Sequence, residues 1–169
     1  MVIYPSKSMK QKGFTLIELL VVMAITVILG TLTIAGFDSY KQVQVLQTST
    51  NEVVTMLNEA KSRAQSQVKL GSATKCNDVN KNLVDYKVDV SRANNNYKLS
   101  IDCQDSSQNP FSEILETKIL PKNVSFTSST SFSFPVLSGG VQTPGSITIS
   151  GSGKTKTITV NALGGISTQ

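Results

Sequence analysis

The sequence predicts an α+β fold in which one long N-terminal helix packs on an antiparallel β-sheet domain. Three patterns predict it. Residues 14–37 form an apolar run of membrane length, apolar residues then recur at spacings of three and four, and after Gly71 the hydrophobic period changes to two. With 169 residues, 39% of them hydrophobic, the chain has the material for one packed domain and an appendage.

The run 14–37 holds 24 residues, which as a helix rising ~1.5 Å per residue spans ~36 Å, against a hydrocarbon core of ~30 Å. Lys7, Lys10 and Lys12 precede it, whereas Asp38 and only Lys41 follow closely. The positive-inside rule therefore leaves the N-terminus in the cytoplasm and sends residue 38 onward outside. A removable secretory signal competes, because Thr33-Ile34-Ala35 loosely imitates a small-residue cleavage site. Its apolar core, 19 residues from Leu16 to Ile34, exceeds the usual range of about 7 to 15. A plain signal anchor fits the length but gives Glu18, the one charge within the run, no purpose. A carboxylate at the centre of a membrane helix costs ~2.5–3.5 kcal/mol, less near an end, and such residues usually have a partner.

The basic leader ending in Gly13, followed by Phe14-Thr15-Leu16-Ile17-Glu18-Leu19-Leu20, closely resembles the class III signal of type IV pilins and type II secretion pseudopilins. The resemblance implies a pilin-like fold and divides the chain into a leader (1–13), a transmembrane half-helix (14–37), an amphipathic half-helix (38–70) and an exported β-rich domain (71–169). It implies cleavage after Gly13 by a prepilin peptidase, N-methylation of Phe14, and a filament-assembly role for Glu18 against the Phe14 amine of an adjacent subunit. The physics is coherent with it. Cleavage would create an amine four residues before Glu18, a spacing that puts both groups on one helical face, and in lipid the two charges gain from neutralising each other. Leu16, Ile17, Leu19 to Val22 and Ile25 would pack the filament core, or simply contact lipid.

Beyond the run, Val43, Leu46, Thr50, Val53, Leu57, Ala60 and Ala64 mark one helical face, while Gln42, Gln47, Asn51, Glu52, Lys61 and Gln65 mark the other. Lys69 and Gly71 suggest a stop, giving one helix over 14–70, roughly 85 Å long. A coiled coil is the rival reading, but Thr50, Ala60 and Ala64 make a weak seam and the strands that follow need a cover. Gly30 and Gly36 could loosen the helix.

Val84, Tyr86, Val88 and Val90 alternate with Asp85, Lys87 and Asp89, and after "ANNN" the residues Tyr97, Leu99, Ile101 and Cys103 again share a face, which predicts a hairpin. Shorter strands are expected at 114–120, 124–127, 132–136, 146–150 and 155–160, the last two joined through Gly151-Ser152-Gly153. Serine and threonine crowd this half, which suits an antiparallel sheet with one wet face. Cys76 and Cys103 are the only cysteines. In a domain placed outside the cytoplasm they read as one disulfide contributing ~3.5 kcal/mol on the chain-entropy model, the alternative being two unpaired buried thiols.

Composition narrows function. The net charge of +5 loses three units with the leader lysines, leaving thirteen basic against eleven acidic side chains from Phe14 onward, a weak argument for nucleic acid. With no histidine and two cysteines, a His-based triad, a His-ligated zinc and a CxxC redox site are excluded. Asp78, Asp85, Asp89, Asp102 and Asp105 are the acids an enzyme or calcium site would use, but EF-hand spacing is absent. No catalysis, metal or cofactor is expected. Residues 112–166 also resemble the C-terminal half of H-type minor pseudopilins and their T-type relatives in pilus systems. Some T-type relatives carry arginines beside a glycine for DNA uptake; here the tail Gly164-Gly165-Ile166-Ser167-Thr168-Gln169 has none, and Lys154 and Lys156 are the nearby cations. The expected protein is a minor pilin or pseudopilin, with a DNA-binding minor pilin as the alternative. Its expected partners are prepilin peptidase, other pilin or pseudopilin subunits, an inner-membrane assembly platform and membrane lipid, without nucleic acid.

Overall fold

The computed structural model describes residues 13–69, 76 and 80–169, with the side chains of 31–39 outside that description. The leader lysines, the side chain of Asp38, Gly36, the Gly71 stop and Asp78 therefore lie outside the described residues. The chain falls into two compact units, residues 1–40 and 41–169. The elements are α1 (Leu16–Gln65), β1 (Lys81–Ser91), β2 (Asn96–Asp105), β3 (Pro110–Ile119), β4 (Val124–Phe126), β5 (Thr130–Pro135), β6 (Gly145–Gly151), β7 (Lys154–Val160) and β8 (Ile166–Thr168). The fold class is α+β, with every strand pairing antiparallel.

In the first unit α1 is apolar all round, and each large side chain described from Leu16 to Leu29 is at least half exposed. Among the described residues no helix is long and apolar enough to cross a membrane; the described side chains of the apolar run stop at Gly30, and the rest of the expected span lies outside them.

In the second unit α1 buries Leu46, Ser49, Thr50, Val53, Met56, Leu57, Ala60 and Ala64, a stripe of helical period. The stripe is spent on the core rather than on a coiled coil, as expected, with two corrections. Val43 is 38% exposed, and Met56, which the predicted face omitted, is buried. The buried Thr50 satisfies its hydroxyl by donating to Leu46 O at 2.8 Å. The helix also ends earlier than residue 70. Gln67 adopts φ +50°, its N–H reaches Ala64 O at 3.4 Å, and Val68 N–H reaches Arg63 O at 3.3 Å. Those bonds are a Schellman stop with glutamine in place of the usual glycine. It is reinforced where the Tyr86 hydroxyl donates to Val68 O and Leu137 N–H to Ala64 O.

The strands build two four-stranded sheets, ordered β3-β2-β1-β5 and β4-β6-β7-β8, where the sequence pattern suggested one. Inner-face residues of both, from Tyr86, Leu99 and Phe134 to Ile147, Ile149 and Ile158, form one core with the helix stripe. Tyr97 and Phe126 meet edge to face across the sheets, centroids 6.1 Å apart. The β1–β2 hairpin has the expected inner face except at Val84. The register slips between Leu83 and Asp85, so Val84 is an extra, 43% exposed residue and Leu83 packs on the core instead. The β6–β7 hairpin closes through Ser152 and Gly153 at φ +53° and +73°, the two positive φ values a tight primed turn requires. The tail was not predicted as a strand, yet β8 pairs with β7 over Ile166–Thr168. Gly164, at φ +72°, makes that return, and a Cβ there would lie 2.4 Å from Gly139 O.

Candidate processing and assembly site

Residues 13–15 precede the helix and are not helical. Gly13 is exposed with nothing within 4 Å of where a Cβ would stand, and Phe14 is 80% exposed. Gly13 and Phe14 are thus both exposed and lie outside the helix. Thr15 then starts the helix: its carbonyl accepts the first helical bond from Leu19 N–H at 3.2 Å. Its hydroxyl oxygen accepts Glu18 N–H at 3.4 Å, and the Glu18 carboxylate accepts Thr15 N–H at 3.4 Å. The Thr15 hydroxyl also donates to that carboxylate at 3.4 Å. Thr15-x-x-Glu18 is a capping box, which satisfies otherwise orphaned amides at the helix start and places a negative charge at the positive end of the helix dipole. The signal was present in the sequence and was read only as family likeness.

The structure therefore joins Glu18 to Thr15. No hydrogen bond links Glu18 to Phe14 among the described residues, and in the uncut chain Phe14 carries an amide rather than an amine. Within the same unit Leu16, Ile17, Leu19 to Val22 and Ile25 are 50–84% exposed.

The other candidates lie in the second unit. Cys76 and Cys103 form the expected disulfide, Cα atoms 5.9 Å apart, and no free cysteine remains among the described residues. It fastens the segment after the helix to the buried face of β2. The acids do not converge on a metal: among the described residues no group of three potential ligands exists. Asp89 pairs with Lys87 at 3.3 Å. Asp105 accepts Ser107 N–H and Asn109 N–H at 2.9 and 2.8 Å, and these bonds, Asn109's first, hold its pKa below the usual value.

Strand alternation in the expected hairpin puts Asp85 and Asp102 on outward faces, and the structure corrects this. They stand opposite one another across β1 and β2, each half-buried and each with one buried oxygen lacking a hydrogen-bond partner. Ser133 donates to the other Asp85 oxygen. Burial raises the Asp85 pKa and the neighbouring Asp102 raises it further, opposed by the Ser133 hydrogen bond and by Lys87. Lys154 is exposed and Lys156 partly so, and neither is in an ion pair among the described residues.

A family model described as the prokaryotic N-terminal methylation motif matches residues 8–34. No curated protein and no solved structure matches the chain.

Proposed function

The chain carries the type IV pilin and pseudopilin signature, and on that premise we propose that it is a minor filament subunit with a pilin-like fold, built into a type IV pilus or a type II secretion pseudopilus. The protein enters the inner membrane as a single-pass chain, N-terminus in the cytoplasm, with residues 71–169 exported to the periplasmic or extracellular side. Prepilin peptidase removes 1–13, Phe14 is methylated, and residues 14–37 hold the subunit in lipid until an inner-membrane assembly platform passes it into the filament. There Glu18 meets the Phe14 amine of the next subunit. Families with this motif are structural rather than catalytic.

The observation that carries the reading is an exposed Gly13–Phe14 pair just ahead of Glu18, the only carboxylate of the apolar run 14–37, whose described large side chains from Leu16 to Leu29 are at least half exposed. The capping box refines it. In the precursor Glu18 is occupied at its own helix start through hydrogen bonds at 3.4 Å, long enough to exchange readily for a new charged partner. Glu18 thus has a role before cleavage and another after it.

Two variants test the proposal. Gly13→Leu should leave the precursor uncut by mass spectrometry while Glu18→Ala is cut normally, and Glu18→Ala should then fail to co-purify with filaments. Normal processing of the Gly13 variant would remove the peptidase assignment; normal incorporation of the Glu18 variant would remove the assembly assignment.

A further inference from the structure

The β1–β2 turn is fixed rather than free. Asn95, at φ +49°, donates from Nδ2 to Val124 O at 2.7 Å and accepts Phe126 N–H on Oδ1 at 3.2 Å. Its carbonyl accepts Leu120 N–H at 3.0 Å, and Arg92 N–H donates to Ser129 Oγ at 3.0 Å. Two of these bonds tie the tip of one sheet's hairpin to β4 of the other sheet and two tie it to the flanking residues Leu120 and Ser129, beside an open depression of about 440 Å³. Arg92, Lys122, Ser125, Thr127 and Ser150 line it, and no carboxylate is among its lining residues. Neither cation is in an ion pair among the described residues. Ser125 and Ser150 are direct cross-strand partners, so their side chains share one face, and no hydrogen bond of either hydroxyl is formed within the described residues. Thr127 differs, its hydroxyl being spent on Thr148 O at 3.2 Å.

We propose that this corner binds a phosphate ester, with Arg92 and Lys122 clamping the phosphate and the Ser125 and Ser150 hydroxyls donating to its remaining oxygens. The donor count selects the ligand. A guanidinium offers five N–H donors, an ammonium three, and two hydroxyls add two more, which exceeds what one carboxylate accepts and suits a multiply charged tetrahedral oxyanion. The depression is larger than a bare phosphate needs, which leaves room for the esterified group. Because the turn is pre-tied by Asn95, little backbone ordering remains to oppose binding.

The test is a titration of the full chain in neutral detergent, followed by amide NMR shifts, with three probes: inorganic phosphate, glycerol 3-phosphate, and mixed micelles carrying phosphatidic acid or only zwitterionic lipid. The expected result is saturable shifts at Arg92, Ser125 and Ser150, stronger for glycerol 3-phosphate than for phosphate. Selective shifts with phosphatidic acid would identify a lipid headgroup as the source, and their absence there a soluble ester. Arg92→Gln and Lys122→Gln should each weaken binding about tenfold, and Ser150→Ala about threefold. Arg92 and Lys122 are exposed, so their variants should fold, and an unchanged spectrum outside the corner checks this; Ser150→Ala provides an independent reading if one does not. The proposal is overturned if potassium chloride at equal ionic strength shifts the same amides equally, or if affinity is unchanged in the cation variants.

Discussion

Two stretches of the same helix use the same residue types to opposite ends. Leu19, in the first unit, is 53% exposed, while Leu57, in the second, is fully buried. From Leu16 to Leu29 the described large side chains are at least half exposed, whereas from Leu46 to Ala64 the helix stripe is buried in the core it shares with two sheets. A continuous apolar surface of that extent is not left to water, so the first stretch is a statement about lipid or other subunits and the second a statement about this chain's own stability. The two should therefore fail in different assays.

The largest effect should come from the staple of the second unit. Cys103→Ser opens the disulfide, and the chain-entropy model assigns it ~3.5 kcal/mol. Urea unfolding of full-length protein in neutral detergent, followed by tyrosine circular dichroism, should show that loss while cleavage after Gly13 continues. Equal stability with and without reductant would remove the staple from the account. Next comes the paired comparison itself. Leu57→Ala leaves a cavity and should cost about 2–5 kcal/mol in the same experiment. Leu19→Ala should stay within about 0.5 kcal/mol there yet reduce the share of subunit recovered in filaments. If Leu19→Ala also unfolds the β-rich unit, the division of labour is wrong.

Much of this was legible in residue spacing. The stripe through Leu46, Val53, Leu57 and Ala60, the hairpin of Tyr86, Val88 and Val90 with Tyr97, Leu99 and Ile101, and the cysteine pair all follow from period and parity. What spacing could not give were the irregularities. The bulge at Val84 hands its inner place to Leu83, and strict alternation has no means of announcing an inserted residue. The helix stops at Gln67 because tertiary bonds from Tyr86 and Leu137 hold its last turn, so a glutamine serves where local preference sought Gly71. Two sheets were read as one because partner choice between strands is non-local. At the candidate site, the Thr15-x-x-Glu18 capping box is also written in the sequence, but it lies inside the stretch that carries the family likeness, and the hydrogen bonds give it its second meaning.

That geometry gives a smaller prediction on the first stretch. Thr15→Val removes the capping hydroxyl and should loosen the helix start by about 1 kcal/mol, read as faster hydrogen exchange at Ile17 and Glu18 in detergent, with exchange in the second unit unchanged. Unaltered exchange at Glu18 would mean that the box contributes nothing.

The smallest effect concerns the carboxyl pair and sharpens the comparison inside the second unit, where burial can also destabilise. The folded pKa of Asp85 lies above its ordinary value of 3.8, so the folded sheet holds that proton more tightly than the unfolded chain does. Its contribution is complete below that ordinary value and is lost as pH rises through the raised one. Asp102 supplies a like charge directly opposite; Lys87 on the same face offsets it only in part, being paired with Asp89. Asp102→Asn should therefore raise stability at pH 7 by on the order of 0.5–1 kcal/mol, leave it nearly unchanged near pH 3, and flatten the decline between. Asp105 works in the opposite sense: its lowered pKa places its contribution above the ordinary carboxylate value, to be lost as pH falls. Urea midpoints of parent and Asp102→Asn measured from pH 3 to 7 separate the two, because only the Asp85 component responds to the substitution. Parallel pH profiles would show that Asp85 and Asp102 do not interact across the strands.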